Sequence, residues 1–249
     1  MKVCFTQVVI KKYYLSLIIP AYNEEKKIEK DIRAAFEYFK QKKYSGEVIV
    51  STDGVTDNTN KIVEKLKKEY PDLILIKKRQ KIGKGAAVRN GVAKARGKYI
   101  MFADAGYCVP FKFIDAGIRK LTEGNDLALA NRADEFTVIK QRQPFYRKVG
   151  SKTFSLLIKY FLGVPSQIKD TQCGFKIYKQ DIAKKLFKNL RTSGMMFDLE
   201  HILQAKKYGY KIAVFPIEWT NDPDTKFNPI TGSFKNFKEI YNIKFIYKL

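Results

Sequence analysis

Two apolar segments of this chain each end at an aspartate, and this pattern constrains the fold more than any other feature. Glu47–Thr52 leads to Asp53, and Lys98–Ala103 leads about fifty residues later to Asp104. Short β-rich runs of this kind predict buried strands of a parallel sheet. Because such sheets bind ligands at the carboxyl ends of their strands, we expect both carboxylates at one edge. Taken singly, either aspartate is equally consistent with an ordinary turn.

As a pair, the two aspartates suit a nucleotide. One carboxylate can accept hydrogen bonds from a base or ribose, and the other can hold a metal ion that bridges the phosphates. We therefore assign Asp53 to the nucleoside side and Asp104 to the metal side.

Strand and helix patterns alternate from residue 15 to residue 130. The alternation predicts right-handed βαβ units and an α/β fold with a doubly wound, mostly parallel sheet. We expect the first helix over Glu24–Lys40, with Asn23 as its N-cap. The predicted strands are Leu15–Ile19, Val48–Ser51, Leu73–Ile76, Tyr99–Phe102 and Leu127–Ala130, and the further predicted helices are Asp57–Tyr70, Ala86–Ala95 and Phe111–Leu121.

The regular alternation stops after Asn131, and the chain becomes strongly basic. Residues 131–190 hold 13 Lys and Arg against 4 Asp and Glu, and a last strand is expected at Ile212–Phe215. No linker or composition break separates two domains. The chain 1–249 is therefore predicted to be a single domain with a nucleotide-binding half (15–130), a second half (131–232) and a tail (233–249).

The tail has a cationic amphipathic pattern. Aromatic side chains recur at helical spacing and lysines lie between them, a pattern typical of helices at a membrane interface. The alternative is a terminal helix that packs on its own domain. The aromatic residues are Phe234, Phe237, Tyr241 and Phe245, and the lysines are Lys235, Lys238, Lys244 and Lys248.

The net charge of the chain is extreme. Its 48 Lys and Arg against 25 Asp and Glu give +23, which implies an anionic partner such as a nucleic acid, a lipid headgroup or a phosphorylated substrate. The basic-aromatic motifs of RNA-binding modules are missing, so nucleic acid is the less favoured partner. The longest apolar run is well below the roughly 20 residues of a spanning helix, so we predict peripheral rather than integral membrane association.

Cysteine and histidine usage excludes several kinds of site. The three cysteines, Cys4, Cys108 and Cys173, are odd in number and far apart, and they form no disulfide or metal-binding framework. This usage suits a reducing compartment. A single histidine, His201, excludes a multi-histidine metal centre.

Several motifs resemble those of known enzymes. Leu17–Glu25 and Asp53–Thr59 resemble the opening motifs of family 2 glycosyltransferases. Gly83–Arg89, Asp170–Lys176 and Phe197–Glu200 resemble the dolichyl-phosphate glucosyltransferase branch of polyprenyl-phosphate sugar synthases. The resemblance implies a GT-A fold with a Rossmann-like nucleotide-binding half, a nucleotide-sugar donor, a divalent metal and inverting transfer.

On this resemblance, the nucleotide site is formed mainly by residues of the first half. The implied metal is Mg²⁺ or Mn²⁺ held by Asp104, but the site is weakened because Gly106 replaces the second acid of the family's Asp-x-Asp motif. An aspartate at 106 is expected to restore a hard ligand, whereas Cys108 is a poor partner for Mg²⁺. An inactive or metal-independent protein is the alternative. The implied nucleotide-binding residues are Pro20, Tyr22, Glu24, Asp53, Lys84, Arg89 and Asp104.

A lipid phosphate as acceptor changes what the site requires. A phosphate monoester is already an anion near neutral pH, so cations rather than a strong general base are needed. The resemblance assigns Arg132, Arg147 and Ser151 to the acceptor and donor phosphates, and it makes Asp170 an active-site acid. The implied catalytic set is Asp104, Asp170, Arg132 and Arg147.

The leading hypothesis is a peripheral enzyme at the cytoplasmic face of a membrane. It would transfer a hexose, most simply glucose from UDP-glucose, to a polyprenyl or dolichyl phosphate. One alternative is a glycosyltransferase that acts on a sugar hydroxyl in surface polysaccharide synthesis. Another is a non-catalytic binder of anionic surfaces or nucleic acid on a degraded transferase scaffold.

Overall fold

A mixed β-sheet forms the centre of the molecule. The computed structural model describes residues 12–141, 161–222, 224 and 229–249, and in this part of the chain the large sheet has seven strands in the order β3-β2-β1-β4-β7-β5-β8. A two-stranded sheet pairs β6 with β9. The strands are β1 Tyr13–Ala21, β2 Gly46–Asp53, β3 Leu73–Lys78, β4 Gly97–Ala103, β5 Leu127–Ala130, β6 Val138–Gln141, β7 Phe175–Lys179, β8 Ile212–Phe215 and β9 Glu218–Thr220.

Helices cover both faces of the large sheet. One face packs against α1, α2 and α4, and the other against α3, α5 and α6, which gives a three-layer sandwich with an apolar core on each side. The helices are α1 Ile28–Lys42, α2 Thr59–Leu66, α3 Lys84–Lys94, α4 Ile114–Thr122, α5 Gln180–Lys188, α6 Phe197–Lys207 and α7 Pro229–Tyr241, with a 3₁₀ turn at Phe111–Phe113 and a π-helical turn at Asn242–Ile246.

The parallel half of the sheet confirms the predicted βαβ order. Strands β1, β2, β3 and β4 pair in parallel, so their carboxyl ends meet at one edge. Strand β7 breaks this pattern, because it runs antiparallel between β4 and β5. The sequence analysis does not predict β7, whose position depends on its pairing with β4 and β5 and on the burial of Lys176.

The first helix begins four residues later than predicted. Asn23 has a left-handed backbone (φ 56°), and its side chain bonds to Thr56 instead of capping a helix. Residues 24–27 form a turn in which the Lys27 and Ile28 amides donate to the Glu24 carbonyl, and α1 begins at Ile28.

The tail helix begins earlier than predicted, at Pro229, where a proline's missing amide costs no intrahelical hydrogen bond. Ile240 and Ile243 are buried in the core, while Phe234, Phe237, Tyr241 and Phe245 are 52–78% exposed. One side of the tail therefore packs on the domain, whereas the membrane-interface interpretation of its exposed aromatic side stays a prediction. Within the described residues, every helix is too short or too polar to span a bilayer.

Candidate functional site

A cleft with a volume of about 640 Å³ opens at the carboxyl edge of the parallel strands. It lies where β1, β2 and β4 end and where the antiparallel β7 begins, so four strands deliver residues to one place. This position is the ligand-binding edge expected of an open α/β sheet. Seven of the residues predicted from the sequence line it: Pro20, Tyr22, Glu24, Asp53, Lys84, Asp104 and Arg132.

Asp53 holds the loop that precedes α3. Its two carboxylate oxygens accept the amides of Ile82 (2.8 Å) and Gly83 (2.7 Å), and the residue is only 5% exposed. Gly83 has φ 141°, and a Cβ there would lie 2.4 Å from the Ser193 carbonyl oxygen, so this loop conformation requires glycine. In this structure Asp53 acts on the glycine-rich loop, and direct contact with a nucleoside remains a prediction.

Lys84 joins the glycine-rich loop to the metal-side aspartate. Its ammonium lies 2.6 Å from the Asp104 carboxylate. Burial alone lowers the pKa of Lys84, but the carboxylates of Asp104 and Asp198 raise it above its ordinary value, so the side chain stays charged. The pair places one cation and one anion at the first turn of α3, where the positive end of the helix dipole favours anions.

Gly174 permits the position of the Asp104 carboxylate. A Cβ on Gly174 would lie 2.0 Å from Asp104 Oδ2, and the Asp104 amide donates to the Gly174 carbonyl at 2.9 Å. The turn before β7 and the end of β4 are thus locked together, and any side chain at 174 would displace the carboxylate. This contact gives the glycine of the Asp170–Lys176 motif a steric role.

Gly106 lies where the second acid of an Asp-x-Asp motif would stand, and another residue fills that space. Gly106 has φ 100°, and its amide donates to Asp31 Oδ2 at 2.7 Å. A Cβ on Gly106 would lie 3.1 Å from Asp222 Oδ2. The expectation that an aspartate at 106 restores a ligand is therefore not supported, because the backbone disfavours a side chain there and Asp222 already supplies a carboxylate.

Asp222 belongs to an acidic group that surrounds one lysine. Lys27 Nζ lies 2.6 Å from Asp222, 2.7 Å from Glu24 and 3.8 Å from Asp224. Burial lowers the pKa of Lys27, but the hydrogen bonds that its ammonium donates to Asp222 and Glu24 outweigh burial and raise that pKa. The ammonium therefore balances part of the negative charge.

Cys108 is a thiol and not a thiolate. Burial, together with the charges of Asp104, Asp222 and Asp31, raises the pKa of Cys108 to about 12. A protonated thiol is a weak metal ligand, and the expectation that Cys108 is a poor partner for Mg²⁺, though usable by softer ions, stays a prediction. Among the residues that the structure describes, no group of three or more His, Cys, Asp or Glu side chains is arranged to hold a metal ion.

Arg132 and Asp170 form a bidentate ion pair beside the cleft. Arg132 Nε and one terminal nitrogen lie 2.6 and 2.9 Å from the Asp170 oxygens, and the guanidinium lies 5.5 Å from the Trp219 ring. Burial raises the pKa of Asp170, but Arg132 outweighs it and holds that pKa below its ordinary value. Asp170 also accepts the Gln172 amide, so it is both a turn cap and the residue that orients Arg132.

A second buried ion pair lies beneath Lys84, and the sequence analysis does not predict it. Lys176 on β7 is fully buried, and its ammonium binds the Asp198 carboxylate and the Thr171 carbonyl. Burial raises the pKa of Asp198, while Lys176 and Lys84 oppose this change. Asp198 therefore stabilises two lysines at the sheet edge, and a lysine inside an apolar strand was the available signal.

The two opening motifs bind each other. The Glu24 amide donates to Thr59 Oγ1 at 2.8 Å, and the Glu25 amide donates to Asp57 Oδ2 at 3.1 Å. Together with the Asn23–Thr56 bonds, these contacts clamp the end of β1 to the start of α2. The polar residues of both motifs therefore shape the cleft wall rather than fill it.

Tyr22 lines the cleft with its aromatic ring. Lys81 Nζ lies 3.4 Å from the centre of this ring, which places a cation on the face that a base could cover. Arg89 does not line the cleft, because its guanidinium donates to the Leu190 carbonyl at 2.9 Å. The expected nucleotide contact of Arg89 is replaced by a bracing contact between α3 and the loop after α5.

Two predicted residues, Arg147 and Ser151, lie outside the described part of the chain. The tail helix contributes cleft residues that the sequence analysis does not predict, namely Lys235, Asn236 and Glu239. Their spacing on the side opposite Phe234 was the available signal.

Comparisons with known proteins agree with this geometry. The family model described as "Glycosyl transferase family 2" matches residues 16–187. A dolichyl-phosphate beta-glucosyltransferase of Dictyostelium discoideum is 31% identical over 252 residues, which cover 96% of this chain and 76% of the relative. The Saccharomyces cerevisiae protein of the same name is 34% identical over 259 residues, with the same two coverages.

Solved structures show the same fold. Glucosyl-3-phosphoglycerate synthase from Mycobacterium tuberculosis, in complex with Mn²⁺, UDP and glucosyl-3-phosphoglycerate, superimposes with a TM-score of 0.67 at 16% identity. The match covers 93% of this chain and 78% of that one. S. aureus TarS residues 1–349 superimpose with a TM-score of 0.58 at 20% identity, covering 92% of this chain and 63% of that one.

Proposed function

Because the chain belongs to glycosyl transferase family 2 and has its GT-A fold, we propose that it transfers glucose from UDP-glucose to a dolichyl or related polyprenyl phosphate. The observation that carries the proposal is the pairing of two sets of charges across one cleft. Asp53 and Asp104 lie at the parallel strand ends, Lys84 of α3 pairs with Asp104, and the Arg132–Asp170 pair lies on the side of the basic second half. Relatives named dolichyl-phosphate beta-glucosyltransferase match 96% of the chain.

The donor is expected on the side of residues 15–130. Lys84, the first residue of α3, offers a charged ammonium to a diphosphate, and the helix dipole adds partial positive charge at the same place. Tyr22 offers an aromatic face for the base, from which Lys81 would have to move. As the sugar bond breaks, negative charge grows on the leaving diphosphate, and cations fixed in advance stabilise that charge.

A divalent metal, Mg²⁺ or Mn²⁺, fits this side of the cleft. Magnesium is commonly bound by one or two carboxylates together with substrate phosphates. Asp104 would supply one carboxylate, and Asp222, whose oxygen lies 3.1 Å from the missing Cβ of Gly106, would supply the other. The ion would neutralise diphosphate charge. Compared with an intact Asp-x-Asp motif the site is weakened, because Lys27 competes for Asp222.

The acceptor side fits an anionic nucleophile. The low pKa of Asp170 keeps it ionised and paired with Arg132, which is unlike a general base that must pick up a proton near neutral pH. A phosphate oxygen needs no such base, since its second pKa is about 6. Arg132 would hold the acceptor phosphate, and we propose that Arg147 and Ser151 complete this half (131–232).

The tail 233–249 would hold the enzyme peripherally on the cytoplasmic face of an anionic membrane. Its exposed aromatic rings lie among lysines, and Phe161 extends the apolar surface through its contact with Phe245, with ring centres 5.9 Å apart. The opposite side of α7 lines the cleft, so a lipid phosphate at the interface would lie near the site. The free thiols Cys108 and Cys173 suit a reducing compartment.

The test is a radiolabelled transfer assay with matched donors and acceptors. Purified protein, Mn²⁺ and labelled UDP-glucose should yield a glucosylated dolichyl phosphate, with less product from GDP-mannose or UDP-galactose. Arg132→Gln should reduce transfer to the lipid phosphate by on the order of a hundredfold, since it removes a charged partner of the acceptor. Transfer only to a sugar hydroxyl, or UDP release without a lipid product, would contradict the proposal.

A further inference from the structure

Helix α7 has one side in the cleft and another toward solvent. Phe234 and Phe237 are 78% and 59% exposed, whereas Asn236 is 8% and Ile240 is 7% exposed. Glu239 lies on the cleft side. The same rigid helix therefore touches both the proposed lipid surface and the interior of the site.

Glu239 makes the contact that ties α7 to the rest of the cleft wall. Its oxygens accept the amides of Gly194 and Met196, each at 2.9 Å, just before α6 begins. A Cβ on Gly194 would lie 2.1 Å from Glu239 Oε1, so this approach is possible only with glycine. Both oxygens of a single carboxylate thus fix the segment 193–196.

That segment binds the first turn of α3 from the other side. The Gly85 amide donates to the Gly194 carbonyl at 3.2 Å, and the Ala86 amide donates to the Ser193 carbonyl at 3.1 Å. The packing is tight, because a Cβ on Gly85 would lie 2.7 Å from Phe197 Cβ. Segment 193–196 therefore sets where the first turn of α3 lies.

The first turn of α3 carries the donor-side charges. Lys84 pairs with Asp104 at 2.6 Å, and the neighbouring Gly83 amide binds Asp53 at 2.7 Å. A continuous series of hydrogen bonds runs from Glu239 through residues 193–196 to Gly85, the chain neighbour of Lys84, which in turn pairs with Asp104. Each step is a direct contact between described residues.

We infer that Glu239 is a positioning residue, which fixes the first turn of α3 through segment 193–196 and makes UDP binding stronger when α7 lies on a lipid surface. This inference rests on the proposed function. Binding of α7 to lipid restricts the motion of the helix and of the first turn of α3 that it positions. UDP then loses less free energy to ordering this turn when it binds. Coupling of this kind is reciprocal, so UDP must strengthen lipid binding by the same factor.

The experiment measures the dissociation constant of UDP with Mn²⁺, in the absence and presence of vesicles of phosphatidylcholine and phosphatidylserine. For the wild-type protein, vesicles should tighten UDP binding by about fivefold or more. Glu239→Gln retains an oxygen that can accept one amide but places an NH₂ group against the other. It should weaken UDP binding about tenfold and reduce the vesicle effect to none.

Two further variants separate positioning from folding. Gly194→Ala breaks the same contact from the opposite side and should reproduce the loss of the vesicle effect. Glu123→Gln removes an exposed charge at the end of α4, where its carboxylate pairs with Lys120, and should behave as wild type. Vesicle binding itself should remain in Glu239→Gln, because the aromatic side of α7 is unchanged.

The outcomes distinguish this inference from the proposed function. If the wild-type protein binds no UDP, the proposed function fails. If it binds UDP and Glu239→Gln retains the wild-type vesicle effect, the positioning role alone fails. A loss of UDP affinity that is equal with and without vesicles would make Glu239 merely structural and would also overturn the inference.

Discussion

Asp31 is a buried carboxylate on α1 whose Oδ2 holds the Gly106 amide. It is 2% exposed, and burial raises its pKa from 3.8 to about 7, opposed by the Gly106 amide. A folded-state pKa above the unfolded value means that the folded protein binds the proton more tightly. The contribution of Asp31 to stability is therefore greatest below about pH 4 and is lost as the pH rises to about 7.

Asp31→Asn should remove the loss of stability that Asp31 causes as the pH rises from about 4 to about 7. Asparagine keeps an oxygen for the Gly106 amide and carries no charge, so the free energy of unfolding at pH 8 should exceed that of wild type. Urea denaturation at several pH values between 4 and 8 provides the measurement. Asp181→Asn, an exposed change at the start of α5, should keep the wild-type slope, and an unchanged slope in Asp31→Asn would contradict the assignment.

Asp222 should carry the metal dependence of nucleotide binding. Asp222→Asn is expected to weaken Mn²⁺-dependent UDP binding on the order of tenfold or more, while UDP binding without Mn²⁺ changes little. Gly106→Asp should give no gain, because its backbone has φ 100° and Asp222 Oδ2 lies 3.1 Å from the new Cβ. Titration calorimetry with and without Mn²⁺ distinguishes the two, and tighter binding by Gly106→Asp would show that position 106 faces the ion.

At the scale of single residues, the sequence predicts which side chains lie at the same edge of the sheet, but not which groups each side chain contacts. Asp53 and Asp104 share one edge because parallel strand ends must. That Asp222 lies beside Gly106 depends on a loop after β9, more than a hundred residues along the chain, and local patterning contains no such information. Arg89 is predicted to contact the nucleotide because it lies near a glycine-rich loop. In the structure its guanidinium donates instead to the Leu190 carbonyl.

At the scale of elements, the loop before α3 depends on one carboxylate. Asp53→Ala removes the acceptor of the Ile82 and Gly83 amides, and leaving them unpaired should lower the free energy of unfolding by about 1–3 kcal/mol. The rise in melting temperature that UDP causes in wild type should also disappear, because the loop no longer presents Lys84.

A thermal-shift titration with UDP and Mn²⁺ measures this effect. Asp181→Ala should keep the full shift. A full shift in Asp53→Ala would mean that the loop is held by other contacts and that Asp53 does not serve the donor.

The elements that the sequence predicts well are those whose own run of apolar residues marks them as strands. Leu127–Ala130 and Ile212–Phe215 lie where the apolar runs place them. Strand β7 escapes prediction because its stability comes from pairing with both β4 and β5 and from the Lys176–Asp198 ion pair, which are all long-range. Asn23 misleads for a similar reason, since its side chain finds Thr56 on another element.

At the scale of the whole molecule, the tail should bind the membrane and is also needed to complete the apolar core. Deleting residues 233–249 would remove Ile240 and Ile243 from the core, so surface substitutions are the better test. Combined Phe234→Ser, Phe237→Ser and Phe245→Ser should greatly reduce sedimentation with anionic vesicles, because apolar burial is lost while the charge is kept.

Added salt should release part of the wild-type protein from the anionic vesicles. The control is Tyr208→Ser, an aromatic residue on the surface beyond α6 that is 41% exposed. It should sediment like wild type. Equal sedimentation of the triple variant would show that the rings of the tail do not reach the bilayer.

The position of β7 also fixes the order in which the sheet can be completed during synthesis. Strand β5 reaches its place only beside β7, although β7 is made more than forty residues later. Until residue 179 leaves the ribosome, the edge of β4 has no partner, and an unpaired buried strand is prone to wrong pairing. A nascent chain that stalls between β5 and β7 therefore exposes an unpaired, aggregation-prone edge of β4. Chaperone binding should matter most in this interval.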